Sequence, residues 1–189
     1  MATSNRLLDA AQEIQDFCTR LRWPFCFIGG IAVLHWGEPR LTRDADISIF
    51  TGIGDEANYV DALLHNFAPR LEDSRVFALQ NRILLLRATN GIPLDVSLGA
   101  LPFEERAVMD AALEEVVDGV SLRLCSASAR IVYKVFAGRP QDWLDVEGAI
   151  AKSRIHIDWK WVRHELAELL ELKGEVNSLQ RLEQLISSA

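Results

Sequence analysis

The sequence is poor in cysteine, in long apolar runs and in positive charge. Its 189 residues include three cysteines, Cys18, Cys26 and Cys125. They are odd in number and far apart, which excludes a disulfide framework and fits reduced thiols. No Cys/His group has zinc-ligand spacing, and His35, His65, His156 and His164 are scattered. No apolar run approaches the ~20 residues of a membrane span, so no membrane partner is expected. The stretch "MATSNRLLDAAQEIQDF" carries acids and lacks the apolar region of a secretory signal, so the expected location is cytoplasmic. Basic residues number 20 against 27 acidic ones, for a net charge of −7. Such a chain is a poor general nucleic-acid binder, because that binding depends on neutralising phosphates. A local basic patch, or a specific contact to one RNA end, stays open. Internal repeats and low-complexity segments are absent as well.

What is present is enough apolar material for a core, 49% of residues. The length points to one domain, with room for a small helical extension. "SNRLLDAAQEIQDFCTRLR" places Leu7, Leu8, Ala11, Ile14, Phe17, Cys18 and Leu21 on one helical stripe. Pro24 ends it. "PFCFI" reads as a short buried strand, Gly29-Gly30 as a turn, and "IAVLHW" as a short helix closed by Gly37. "ADISIF" is a strand, with Asp46, Ser48 and Phe50 on one face and Ala45, Ile47 and Ile49 on the other.

A helix follows in "DEANYVDALLHNFAPR", then strands in "RVFAL" and "RILLLRA". Asn90-Gly91 is a hairpin turn leading into the strand "IPLDVSL", whose Pro93 sits at its start or near an edge. "PFEERAVMDAA" is helical, and "LEEVVDGVSLRLC" is a second hairpin about Asp118-Gly119. From Ser126 onward the pattern is helical, with a serine cap and glycine stops. Trp159 and Trp161 fall there as core or as interface residues. The expected class is α+β (mixed α/β): a mixed sheet flanked by helices, then a helical C-terminal half. Residues 1–125 form the expected core. Residues 126–189 form a helical subdomain that completes a cleft.

The chemistry centres on "FIGGIAVLHWGEPRLTRDADISIF". Alternation on a strand projects Asp44 and Asp46 to one side, about 6.5–7 Å apart at Cα. A carboxylate pair beside a core is costly unless something cationic sits on it. This spacing suits one or two hard divalent cations, and magnesium keeps places for water and phosphate oxygens. Two such ions about 3.5–4 Å apart stabilise both attacking and leaving oxygens in phosphoryl-type transfer. A third acid is needed. Asp95, a lone carboxylate among apolar strand residues, is the candidate. Gly29 and Gly30 allow backbone N–H groups close to phosphate, at the positive end of the helix that begins near Ile31. Arg40, Thr42 and Arg43 can supply charge-assisted hydrogen bonds. Taken singly, a glycine pair is a turn and an Asp-x-Asp is a common surface pattern. Their order along the chain is what carries the reading.

At these residues the sequence resembles the DNA polymerase β-type nucleotidyltransferase superfamily, and most closely its minimal bacterial AbiEii-type branch, which includes toxins of toxin–antitoxin pairs. That branch has a glycine pair, a spacer of about ten residues and then Arg-x-Thr-x-Asp-x-Asp. Here these are Gly29, Gly30, Arg40, Thr42, Asp44 and Asp46. Asp95 matches the third acid by context. Downstream, "YKVFAGRPQDWLDVEGAI" resembles the branch's lysine helix and Arg-x-x-Asp-x-x-Asp segment, on Lys134, Arg139, Asp142 and Asp145. The resemblance runs from Phe25 to Ile150. Many superfamily members have Gly-Ser where this chain has Gly-Gly, which removes one phosphate ligand. Ala45 stands where an aliphatic is common.

The resemblance implies a nucleotidyltransferase-like fold and an enzyme that moves an NMP from an NTP, such as ATP, to an acceptor with release of pyrophosphate. Asp44, Asp46 and Asp95 would hold Mg2+ or Mn2+ and form the catalytic set. Gly29, Gly30, Arg40, Thr42, Arg43, Lys134, Asp142 and Asp145 would form the nucleotide site. Read from the residues alone, Lys134 lies among Ile131, Val132, Val135 and Phe136, so its ammonium must snorkel toward a cleft or pair with an acid. The implied acceptor is an RNA end or a protein, and the implied partner a cognate antitoxin. Two alternatives stand beside this: an antibiotic-modifying nucleotidyltransferase acting on a small molecule, and a non-catalytic nucleotide- or protein-binding member of the fold.

Overall fold

The computed structural model describes residues 6–37, 42–175 and 177–188. The chain divides into two compact units. One comprises Met1–Ile31 and Leu41–Cys125, the other Ala32–Arg40 and Ser126–Ala189. Among the described residues no helix is long and apolar enough to cross a membrane.

The first unit is built on a seven-stranded sheet. Its strands are β1 (Phe25–Phe27), β2 (Ala45–Phe50), β3 (Ala68–Pro69), β4 (Ile83–Arg87), β5 (Pro93–Gly99), β6 (Ala112–Val117) and β7 (Val120–Leu124). They lie in the order β3-β4-β5-β2-β1-β7-β6. β2 runs parallel to β5, and β1 to β7; the other neighbours are antiparallel. The antiparallel pairs β4–β5 and β6–β7 are hairpins whose turns carry Gly91 and Gly119 at φ +83 and +78. Asn90 assists the first turn by accepting from Ile92 N–H at 3.1 Å.

Strand alternation divides β2 into two chemistries. Ala45, Ile47 and Ile49 are fully buried and join Leu94, Val96, Leu84, Leu86, Phe25 and Phe27 in the core. Helix α1 (Arg6–Arg20) covers this core with Leu8, Ala11, Ile14, Phe17 and Cys18, the stripe its periodicity predicts. Helix α3 (Glu56–Asn66) adds Val60 and Leu63. The opposite face of β2 holds Asp46 and Ser48, beside Asp95 and Ser97 of β5. Helix α5 (Pro102–Met109) packs near the far end of these strands, where a Cβ on Gly99 would lie 3.3 Å from Glu104 Cβ.

One segment departs from expectation. "RVFAL" is not a strand but part of helix α4 (Ser74–Asn81). Four consecutive apolar residues do not distinguish the two periods. The deciding contacts are local. Ser74 Oγ bonds Leu71 O at 2.7 Å and folds the chain at the helix entry, and Ser74 and Ala78 bury one face. Arg82 closes the helix in the left-handed region at φ +55. Val76 is left exposed. A second departure is smaller: Gly29 and Gly30 do not precede the short helix α2 (Gly29–Trp36) but begin it.

The second unit is helical: α6 (Ala127–Ala137), α7 (Pro140–Ser153), α8 (Trp159–Lys173) and α9 (Asn177–Ser188), with a 3-10 turn at Arg154–His156. Ser126 Oγ caps α6 by accepting from Ala129 N–H, and Gly138 at φ +69 ends it. Asp158 caps α8, and Gly174 ends it. Val132, Val135, Val146, Ile150, Val162, Leu166 and Leu182 fill the interior. Trp161 is buried and belongs to this core, while Trp159 is half-buried.

Because Ile47 has no solvent exposure at the middle of the sheet, Ile47→Ala should cost about 2–5 kcal/mol in denaturant unfolding. A loss below about 1 kcal/mol would contradict this placement of the core.

Candidate functional site

The candidate site lies where β1 ends and β2 begins. Ile28 N–H donates to Asp46 O at 2.9 Å, so the chain leaving β1 is pinned beside Asp46. It then enters α2 through Gly29 at φ +56. A Cβ on Gly29 would sit 1.9 Å from Asp46 Oδ2, and one on Gly30 2.3 Å from Thr42 Oγ1. Both positions therefore require glycine for space, and Gly29 also for conformation. Gly30 N–H points at Asp46 Oδ2 at 3.4 Å, a long contact. The helix start thus offers its N–H groups to a carboxylate, the kind of group a helix N-terminus favours.

Asp44 follows from a separate contact. Thr42 Oγ1 lies 3.2 Å from Asp44 Oδ1 and 3.3 Å from Asp44 O, so the hydroxyl steadies the turn into β2. Asp44 and Asp46 are half-buried, and Arg43 between Thr42 and Asp44 is exposed. Arg40 lies outside the described residues.

Asp95 reaches the same place through strand pairing. In the parallel β2–β5 ladder it is the register partner of Asp46. Its carboxyl is pushed up chiefly by burial; the Arg70 charge pulls it down, and the nearby Asp44 charge pushes it up again. Arg70 Nη2 donates to Asp95 Oδ1 in an ion pair. Arg70 carries no sequence signal that ties it to Asp95. It arrives because its N–H donates to Leu85 O, and Leu85 is the β4 partner of Asp95. The helix expected over "DEANYVDALLHNFAPR" stops at Asn66; Ala68 and Pro69 pair with β4 instead, and Arg70 continues that edge.

Asp46 and Asp95 on one sheet face, with Asp44 just before β2, offer an all-oxygen donor set, which fits a hard divalent cation. As they stand, each has another engagement: Asp46 with Gly30 N–H, Asp44 with Thr42, Asp95 with Arg70. Among the described residues no group of three or more acidic, histidine or cysteine side chains is gathered closely enough to hold an ion. The chemistry and register suit the ion. To share an ion with the other two, Asp95 would have to leave Arg70.

The downstream candidates lie in the second unit and are held by one another. Lys134 Nζ is 2.8 Å from both Asp142 Oδ1 and Asp145 Oδ2. Arg139 Nε adds 2.7 Å to Asp142 Oδ2, and Gln141 Nε2 3.3 Å to Asp145 Oδ1. The three central side chains are 8%, 2% and 3% exposed. Burial would raise the Asp142 carboxyl, but hydrogen bonds from Arg139 and Lys134 outweigh it and hold it below its ordinary value of 3.8. This network bolts α6 to α7.

No family model matches the sequence, and no curated protein matches it. Solved structures do. A nucleotidyltransferase-like protein from Paracoccidioides brasiliensis, described as antigenic, matches with a TM-score of 0.52 at 16% identity, over 95% of this chain and 94% of that one. The fold is nucleotidyltransferase-like. The antibiotic-resistance factor ANT(2'')-Ia matches with a TM-score of 0.52 at 14% identity, over 98% and 94%. The lincosamide antibiotic adenylyltransferase LnuA, with lincomycin bound, matches with 0.51 at 13%, over 77% and 97%. At such identities the likeness speaks for the architecture: a mixed sheet with helices about it, as expected from the sequence.

Three outcomes follow. Gly29→Ala places a methyl against Asp46 and costs about 1–2 kcal/mol from the left-handed backbone alone, so its thermal midpoint should fall clearly; an unchanged midpoint contradicts the close approach. Lys134→Met strands two buried carboxylates and should cost about 3–5 kcal/mol. For Asp142 the folded chain binds fewer protons than the unfolded one. Its stabilisation is therefore present above the ordinary value and lost as pH falls through the lower folded value. Asp142→Asn should flatten the acid limb of stability against pH; an unaltered limb contradicts the assignment.

Proposed function

We propose that this protein is a metal-dependent nucleotidyltransferase, moving an NMP from an NTP to an acceptor hydroxyl. The observation that carries the reading is the register of Asp46 with Asp95, with Asp44 beside them and the Gly29-Gly30 helix start against Asp46, in a nucleotidyltransferase-like fold. Asp44, Asp46 and Asp95 would hold Mg2+ or Mn2+. When bound, the ion supplies positive charge against the phosphate oxygens and the departing pyrophosphate.

The chain's own residues do the rest. The α2 N-terminus presents backbone N–H groups to phosphate, with no side chain at Gly29 or Gly30 to hold it off. Thr42 orients Asp44. Arg43, exposed next to the acid pair, can meet a phosphate oxygen. The acceptor oxygen attacks the α-phosphorus, the bond to the bridging oxygen breaks, and pyrophosphate leaves with that electron pair. The acceptor's proton passes to a nearby base, for which Asp95 is the candidate by its place beside Asp46. The catalytic contribution is positioning and electrostatics. Lys134, Asp142 and Asp145 pair with one another, and together with Gly29, Gly30, Arg40, Thr42 and Arg43 they form the proposed nucleotide set.

For the acceptor, the resemblance to the toxin branch favours an RNA end or a protein hydroxyl, with a cognate antitoxin as partner. A small-molecule hydroxyl is the second reading. The net charge of −7 favours it over broad RNA binding, and two of the structural neighbours are an antibiotic-resistance factor and an antibiotic adenylyltransferase. Incubation with each α-labelled NTP, Mg2+ and fractionated cell extract should transfer label to one fraction, and Asp46→Asn should lower that transfer by at least about a hundredfold without unfolding the chain. Full transfer by the variant would overturn the assignment. NTP binding without pyrophosphate release would instead support a non-catalytic member of the fold.

A further inference from the structure

Arg70 is absent from the sequence motif, yet it forms an ion pair with the proposed third carboxylate. Its guanidinium donates to Asp95 Oδ1, with side chains 20% and 33% exposed. This is no freely solvated pair. Its Nε is buried and, among the described residues, has no hydrogen-bond partner. A buried donor left unmet is costly, so the guanidinium is bound at one end and poorly satisfied at the other. Asp95 meanwhile stands beside Asp46 in register, on the face that carries the acids. Its carboxylate serves a cation that belongs to the protein itself.

Resting on the metal site proposed above, we propose that Arg70 is a built-in competitor for that site: it holds Asp95 while no ion and nucleotide are bound, and releases it when they arrive. A carboxylate oxygen engaged by a guanidinium is a weak ligand for a divalent ion, so the site is incomplete until the pair opens. The freed guanidinium then has a planar donor fork for the anionic group that comes with the ion, the triphosphate. Ion and nucleotide are thereby coupled: each is bound better in the presence of the other. The ion-free protein does not assemble a nucleotide-independent metal centre.

If the pair holds Asp95 about nine-tenths of the time, its removal tightens ion binding about tenfold. The test is Mn2+ binding, read from the free-ion paramagnetic resonance signal, for wild type, Arg70→Gln and Arg70→Met. Each is titrated with Mn2+ alone and with a non-hydrolysable NTP analogue. The expected result is about tenfold tighter Mn2+ binding by both variants without nucleotide, and a smaller further gain from the analogue than in wild type. Folded variants that bind Mn2+ alone no tighter than wild type overturn the competition. If wild type binds Mn2+ with the analogue and Asp46→Asn abolishes it, that failure leaves the metal site standing. If no protein binds Mn2+ under any condition, the metal site and the competition fall together. Should neither Arg70 variant fold, wild type alone decides: the Arg70 Nε–H resonance should move when Mg2+ and the analogue are added together. An unmoved resonance overturns the proposal.

Discussion

β2 and β5 run parallel and in register, from Ala45 opposite Leu94 to Phe50 opposite Gly99. Everything proposed for this protein depends on that pairing. The same alternation that buries Ile47, Ile49, Leu94 and Val96 on one face must put Asp46 and Asp95 on the other. A slip of one residue would drive a carboxylate into the core and is therefore strongly disfavoured. The hydrophobic core thus fixes the position of the acids. The adjoining β1 strand completes the constraint, because Ile28 bonds to Asp46 O and the next two residues have no room for side chains.

The two charged clusters of the chain illustrate opposite uses of the same chemistry. In the second unit, Lys134, Asp142, Asp145, Arg139 and Gln141 satisfy one another at hydrogen-bond distance in a nearly dry setting. Such a network holds helices in register and is expensive to disturb. In the first unit the acids are half-buried, and among the described residues the buried Arg70 Nε has no hydrogen-bond partner. Under the proposed function, the incoming cation and phosphate would meet the acids and this open Arg70 donor.

Features set by neighbours in the chain are legible without coordinates. Asn90-Gly91 and Asp118-Gly119 mark their hairpins, Ser126 and Gly138 mark the ends of α6, and the α1 stripe follows from its periodicity. The alternation of Asp44 and Asp46 is equally local. What the sequence hides is set at long range. Val76 and Phe77 carry strand propensity, but Ser74 and Arg82 enclose them in a helix. Arg70 meets Asp95 only through the pairing of β4 with β5, across 25 positions of sequence. The pairing of Lys134 with an acid was one of two outcomes open to an ammonium in apolar surroundings; which one holds depends on how α7 packs against α6.

The most direct test of the account is a crystal structure grown with Mn2+ and a non-hydrolysable NTP analogue, with the ion located by its anomalous scattering. The account requires an ion bound by carboxylate oxygens of Asp44, Asp46 and Asp95 at about 2.1 Å, phosphate oxygens facing the Gly29-Gly30 helix start, and Arg70 turned away from Asp95. An ion bound elsewhere, or Asp95 still engaged by Arg70 beside an ordered nucleotide, would contradict it.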